Sequence, residues 1–128
     1  MKQKIQLLPD GILIFPGPKD KRVCLYDIVF VKGDDYCIHL YLKNGRRLSK
    51  VVSLRSLWVW LPRELFCFPH KSYMVNLSFV SKCLPYERRN YELSFTTIKE
   101  HAYASERRAP VFIKQWEAYK KAQKLKAR

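Results

Sequence analysis

Residues 65–80 read Leu-Phe-Cys-Phe-Pro-His-Lys-Ser-Tyr-Met-Val-Asn-Leu-Ser-Phe-Val. Within them, the short polar segment His70-Lys71-Ser72 joins two apolar segments. Pro69 lacks a backbone N–H and fixes φ, so no regular helix runs through this point. Beyond it, apolar side chains recur at every second position from Tyr73 to Leu77, which predicts a strand with one apolar face. The sequence therefore places the imidazole of His70, the cation of Lys71 and the hydroxyl of Ser72 immediately before the start of a buried strand.

Further strands are predicted on both sides of this stretch. Upstream, residues 36–43 carry apolar side chains on one face, and Asn44-Gly45 is typical of a type I′ hairpin turn, which needs positive φ at both positions. Downstream, residues 91–95 alternate between apolar and polar. Other strands are predicted over residues 23–32, 46–52, 80–86 and 97–104. The chain is therefore predicted to be mostly β.

Two short helices are predicted among these strands. The first, over residues 54–61, follows Ser53, whose hydroxyl can accept an orphan backbone N–H, and ends at Pro62. The second, over residues 110–122, begins with Pro110, which suits a first helical turn. Its apolar stripe consists of Phe112, Trp116 and Tyr119. Because helices do not alternate with strands, the pattern argues against a βαβ fold.

The length of 128 residues suits one domain, which we predict over residues 23–119. Residues 1–22 form a leader whose turn signal, Pro9-Asp10-Gly11, would allow a small hairpin. Residues 120–128 are basic and short of large apolar side chains, which predicts a frayed helix end or a disordered arm.

The chain carries 25 Lys and Arg against 11 Asp and Glu, a net charge of +14. Such an excess favours a polyanionic partner, nucleic acid before an acidic membrane or protein. No apolar run approaches the roughly 20 residues that span a bilayer, and the N-terminus lacks a signal-peptide core. The sequence therefore predicts a cytoplasmic protein without a membrane partner.

The four cysteines are Cys24, Cys37, Cys67 and Cys83. They form no C-x-x-C pair, and the three histidines do not fall at zinc-finger spacing. Each cysteine lies among apolar residues, which favours reduced thiols packed in the core, with zinc or disulfide bonds as the alternatives. We therefore predict neither a metal nor a cofactor.

Residues 68–76 read Phe-Pro-His-Lys-Ser-Tyr-Met-Val-Asn. They resemble a motif of the LytTR domain, which is the DNA-binding domain of bacterial response regulators and related transcription factors. Three flanking segments resemble further parts of that domain in the same order: a first hairpin at 27–31 and 36–40, a short helix at 53–62 and a Ser-Arg-Arg turn at 104–108. The resemblance covers about residues 23 to 118. It implies small antiparallel sheets packed as an elongated β sandwich.

The resemblance also implies that three loops contact DNA, the first being the segment 70–72. At the position of Lys71 the family usually has Arg or Asn, which reaches the major groove. Lysine can hydrogen-bond guanine O6 and N7 but lacks the fixed fork of a guanidinium. His70 is interpreted as making structural hydrogen bonds or touching the DNA backbone.

The second implied contact is the turn that precedes the last helix. Ser105, Arg107 and Arg108 are its candidate DNA-binding residues, and Glu106 interrupts the usual Ser-Arg-Arg order. The interruption leaves open which arginine takes the recognition role. We favour Arg107, with a purely solvated side chain as the alternative.

The third implied contact is the loop Gly33-Asp34-Asp35-Tyr36. Asp35 is a candidate because, although a carboxylate repels phosphate, it can accept a hydrogen bond from cytosine N4; the alternative is that it points away. Tyr36 is predicted either to contact the DNA backbone through its hydroxyl or to pack its ring in the core.

These observations predict a transcriptional regulator that binds duplex DNA sequence-specifically through loops, and the resemblance alone implies a homodimer on DNA. One alternative is an RNA- or single-strand-binding β domain with exposed aromatic rings as stacking platforms. Another is an interaction module for an acidic protein. His70 and Ser72 would share one strand face, but no Gly-x-Ser-x-Gly elbow and no local carboxylate accompany them. We therefore do not expect an enzyme.

Overall fold

The computed structural model describes residues 4–127, and within them the strands form three small antiparallel sheets. The first sheet contains β1 (Gln6–Leu7), β2 (Ile12–Phe15) and β3 (Lys21–Cys24). The central sheet contains β4 (Ile28–Gly33), β5 (Ile38–Leu42), β6 (Arg47–Lys50), β7 (Phe66–His70) and β8 (Tyr73–Asn76), in the order β6-β5-β4-β8-β7. The third sheet contains β9 (Val80–Pro85), β10 (Tyr91–Phe95) and β11 (Ala102–Ala104). With helices α1 (Leu54–Trp58) and α2 (Ala109–Lys126), this architecture confirms the predicted mostly β class.

The central sheet is covered on both faces, so the described residues form two hydrophobic cores. The first core packs the first sheet and α1 against one face and includes Leu13, Phe15, Ile28, Leu57 and Met74. The second core packs the third sheet and α2 against the other face and includes Val29, Phe30, Val75, Leu93 and Phe112. Successive side chains of a regular strand point to opposite faces, so the neighbours Met74 and Val75 of β8 enter different cores.

Strand β8 shows the consequence of this two-sided covering. All four of its residues are buried, with Met74 in the first core and Tyr73 and Val75 in the second. The prediction of a single apolar face was therefore wrong, because Met74 on the supposed outer face is completely buried under the first core. Residues of the N-terminal leader complete that core, since Leu13 and Phe15 are fully buried.

The hairpin between β5 and β6 forms where Asn44-Gly45 predicts it, but through a different turn. The N–H of Gly45 donates to the carbonyl oxygen of Leu42 at 2.9 Å. The N–H of Leu42 donates to the carbonyl oxygen of Arg46, also at 2.9 Å. Gly45 has a positive φ of 87°, whereas Asn44 has not. The loop is thus a type I turn followed by a left-handed glycine, and the predicted type I′ turn is wrong.

Both helices end elsewhere than predicted, and α2 begins at Ala109, one residue before its predicted start. Ser53 caps α1 by accepting the N–H of Ser56 on its hydroxyl at 3.1 Å, yet α1 ends at Trp58 rather than at residue 61. Helix α2 continues to Lys126, so most of the predicted frayed or disordered tail is helical. Residues 97–101 are bends and coil outside any strand, and β11 is correspondingly shorter than predicted. In the described part of the chain, no helix combines the length and apolarity needed to span a membrane.

Candidate nucleic-acid interface

The tip of the β7–β8 hairpin consists of Lys71 and Ser72, between the paired residues His70 and Tyr73. Strand β7 is an edge strand with an irregular register before His70, which is where a sheet tolerates Pro69. Lys71 is exposed at the tip. The hairpin therefore presents one cation beyond the edge of the central sheet.

The base of this hairpin is fixed by a buried asparagine. Asn76, at the end of β8, is completely buried, and its amide nitrogen donates to the carbonyl oxygen of Ile28 at 2.9 Å. Its Oδ1 accepts the backbone N–H of Ser78 at 3.0 Å and the Ser78 hydroxyl at 2.6 Å. All its polar atoms are thus paired, as a buried amide requires. The side chain therefore ties β8 to β4.

The loop that follows β4 is attached to the hairpin tip. The N–H of Gly33 donates to the carbonyl oxygen of Ser72 at 2.8 Å. Asp35 and Tyr36 are exposed and line the same surface cleft as Lys71. Tyr36 is 83% exposed, so its ring does not pack in the core as one alternative predicted.

The turn before α2 is attached to the other side of the same tip. The N–H of Ser105 donates to the carbonyl oxygen of Pro69 at 2.9 Å. The hydroxyl of Ser105 accepts a hydrogen bond from the N–H of Arg108 at 3.2 Å. The carbonyl oxygen of Ser105 accepts one from the N–H of Ala109 at 2.8 Å. Ser105 therefore shapes the start of the helix. Arg107 and Arg108 are exposed in this turn before the helix, with the Arg108 guanidinium 5.9 Å from the centre of the Phe68 ring.

His70 is held in one orientation between these loops. Its Nδ1 accepts the backbone N–H of Ser72 at 3.0 Å, and its ring meets that of Tyr73 edge to face at 5.4 Å. Burial, followed by the charges of Lys71 and Arg108, lowers the pKa of the imidazole. A backbone amide, rather than the Ser72 hydroxyl, is thus bonded to Nδ1.

The two acidic residues of the loop 33–36 differ in their surroundings. Asp34 turns its Oδ1 back into the loop, where it accepts the N–H groups of Tyr36 at 3.1 Å and Cys37 at 3.0 Å. These bonds, with smaller contributions from His39 and the Cys37 thiol, lower the pKa of the Asp34 carboxyl. Asp35 is exposed beside it.

Two arginines that the sequence analysis assigned no role lie at the same end of the molecule. Arg88 and Arg89, in the turn between β9 and β10, have positive φ values of 52° and 66°. Arg89 pairs with Glu106 at 3.5 Å, and the Glu106 N–H donates to Asn90 Oδ1 at 3.3 Å. Left-handed backbone at residues other than glycine costs free energy and concentrates at functional sites. The adjacent arginines in a polar turn were the only signal in the sequence.

Three side chains with metal-ligating atoms also converge beside the loop 33–36. Asp34, Cys37 and His39 bring a carboxylate oxygen, a sulfur and a ring nitrogen within 4.8 Å of one another. Core packing was predicted for every cysteine, but of the four only Cys67 is buried, and Cys37 is half-buried and hydrogen-bonded to Asp34. The spacing D-x-x-C-x-H was the missed signal.

Comparisons with known proteins agree with this architecture. The LytTr DNA-binding domain profile matches residues 19–117. A solved structure, the LytTr DNA-binding domain of a Bacillus cereus protein described as a methyl-accepting/DNA response regulator, superposes with a TM-score of 0.69 at 18% identity. That match covers 82% of this chain and 95% of the other. No curated protein matches the chain. The profile spans more than half of the sequence, so the chain belongs to the LytTr DNA-binding domain family.

Proposed function

We propose that this protein regulates transcription by binding duplex DNA sequence-specifically through three loops. The observation that carries the proposal is a pair of backbone hydrogen bonds, Gly33 to Ser72 and Ser105 to Pro69. They gather loops that are distant in sequence around the exposed Lys71. Backbone bonds of this kind hold the loops in fixed relative positions, which base readout in a groove requires.

The charges near these loops suit a polyanion. Lys71, Arg107 and Arg108 are exposed on two of the loops, and Arg88 and Arg89 lie on the adjoining turn. Their phosphate contacts would supply most of the affinity, and they would position the loops against the base edges. The net charge of +14 extends this attraction beyond the immediate contacts.

The proposal includes two further properties that follow from the family rather than from particular contacts. Two copies would bind one operator as a homodimer, each reading one half-site. The protein would act in the bacterial cytoplasm, where its DNA lies, without catalytic activity of its own.

A mobility-shift experiment tests the proposal. The purified protein is titrated into a duplex chosen from a randomised pool, into its separated single strands and into RNA of the same sequence, at one fixed salt concentration. We expect the chosen duplex to bind most tightly, and a scrambled duplex to bind at least tenfold more weakly.

The rival functions predict other outcomes. The exposed ring of Tyr36 beside Lys71 would serve a single-strand-binding protein as a stacking platform. Tighter binding to the unpaired strands than to the duplex would therefore support that rival and refute the proposal. Equal, salt-sensitive binding to every nucleic acid would favour an acidic protein as the partner.

A further inference from the structure

Asp34, Cys37 and His39 bring three ligand atoms together beside the loop 33–36. His39 Nε2 lies 3.2 Å from Asp34 Oδ2, Cys37 Sγ lies 3.4 Å from the same oxygen, and Cys37 Sγ lies 3.5 Å from His39 Nε2. The three ligand atoms thus form a nearly equilateral triangle of one nitrogen, one oxygen and one sulfur.

The triangle has the dimensions of one face of a tetrahedral zinc site. Zinc binds nitrogen and oxygen at about 2.0–2.1 Å and thiolate sulfur at about 2.3 Å, with tetrahedral angles between ligands. Those bond lengths separate nitrogen from oxygen by about 3.3 Å, and sulfur from either of them by about 3.5 Å. The observed separations agree with these values to within about 0.1 Å, so an ion would need little rearrangement of the side chains.

The ligand atoms are also held in place by neighbours that would not compete with a metal. Asp34 uses Oδ1 for the backbone N–H groups of its own turn, which leaves Oδ2 for an ion. His39 Nδ1 lies 2.6 Å from the hydroxyl of Ser49, its cross-strand partner on β6. A hydrogen bond donated by Nδ1–H to that hydroxyl turns the lone pair of Nε2 toward the cluster, as second-shell partners of metal-binding histidines do.

We propose that Asp34, Cys37 and His39 bind one Zn²⁺ ion, with the fourth coordination position open to solvent. A mixed nitrogen, sulfur and oxygen set suits zinc, whereas Mg²⁺ and Ca²⁺ prefer oxygen ligands throughout. The side chains of His39 and Asp34 are 23% and 50% exposed, so an ion can enter from solvent. The site departs from the expectation, based on spacing and apolar neighbours, that no cysteine binds metal.

Zinc at this site would act on the contact loop 33–36, an inference that rests on the proposed function. The loop begins at Gly33, which is bonded to the Lys71 hairpin through Ser72. The two positive charges of the ion would balance the Asp34 carboxylate and the Cys37 thiolate. The metal would therefore tie both ends of the loop together and remove a negative charge from a surface that faces phosphate.

The metal site is tested without DNA, so its failure is distinct from a failure of the proposed function. The full chain is stripped with a chelator and titrated with Zn²⁺ against a chromophoric competitor, then separately with Co²⁺, whose thiolate complexes absorb in the near ultraviolet. We expect one ion per chain and a thiolate-to-cobalt band. Cys37→Ser should abolish the band, whereas Cys83→Ser, a half-buried cysteine on β9, should retain it.

Two further variants keep the test independent of misfolding. Asp34→Asn retains an oxygen for the backbone N–H groups of Tyr36 and Cys37, so the turn should persist while zinc affinity falls at least tenfold. Ser49→Ala removes only a positioning residue and should weaken zinc binding by about 10–100-fold. Absence of stoichiometric binding to the wild type, a band that persists in Cys37→Ser, or unchanged affinity in folded Asp34→Asn would each overturn the proposal.

Discussion

The backbone N–H of Ser105 donates a hydrogen bond to the carbonyl oxygen of Pro69 at 2.9 Å, which joins the start of α2 to the tip of the β7–β8 hairpin. Both partners are main-chain groups, so the bond does not depend on the side chains of Lys71, Arg107 or Arg108. Truncating those side chains should therefore leave the loops in place. Changes in DNA affinity can then be attributed to lost contacts with DNA.

We predict that Arg89 contacts phosphate rather than a base. Arg89→Ala should weaken binding to a selected duplex and to a scrambled one by the same factor. The slope of log affinity against log salt should become shallower by at most about 0.9, the value for one neutralised phosphate. Arg22→Ala, an exposed arginine on the first sheet, is the matched control and should change affinity less. A loss confined to the selected duplex would instead assign base readout to Arg89.

Gly33 is predicted to tolerate no larger side chain. A Cβ at this position would lie 2.5 Å from both Cγ and Cδ1 of Leu54, well inside van der Waals contact. Gly33→Ala should therefore lower the free energy of unfolding by about 1–3 kcal/mol, the usual cost of overpacking. Gly17→Ala is the control, because its Cβ would meet no atom closer than 3.6 Å. Equal unfolding midpoints for the two variants in urea would show that Leu54 moves aside at little cost.

The lowered pKa of His70 predicts a pH-dependent part of stability. In the unfolded chain the His70 imidazole binds a proton with the ordinary histidine pKa of about 6.5. In the folded chain it binds that proton only at lower pH. The free energy of unfolding should therefore be fully retained above pH 6.5 and fall as the pH drops toward the folded pKa. NMR titration of the ring protons measures the folded value directly.

His70→Asn provides the comparison for this prediction. An asparagine oxygen can accept the Ser72 N–H that now reaches Nδ1, and it does not titrate. The variant should lose this component of the pH dependence. A folded pKa at or above 6.5, or an unchanged pH profile in the variant, would contradict the prediction.

The sequence predicted features that depend on local chemistry. The Ser53 cap, the hairpin at Gly45 and the strand break at Pro69 each follow from the conformational preferences of one or two residues. The family motif at residues 68–76 then indicated how the segments assemble. The turn type at Asn44 failed because the same pair of residues also suits a type I turn with a left-handed glycine.

Features that depend on long-range packing could not be predicted in this way. Met74 is buried because the first sheet covers a face that alternation alone assigns to solvent. Arg89 lies beside Glu106 only because the β9–β10 turn meets the start of α2. The cluster of Asp34 with His39 requires the loop to fold back on β5, and no standard metal motif has that spacing.

The last prediction concerns which residues read the DNA sequence. Lys71→Ala and Arg107→Ala should each cost about 1–3 kcal/mol on the selected duplex and much less on a scrambled one, because a lost base contact penalises only the correct site. Lys124→Ala, on the exposed end of α2, should weaken both duplexes alike and make the salt slope shallower by at most about 0.9. Salt titrations of wild type and variants on both duplexes measure these differences. If folded Lys71→Ala and Arg107→Ala lose affinity equally on the two duplexes, both residues are phosphate anchors. Sequence readout would then lie outside the hairpin tip and the turn at 105–108.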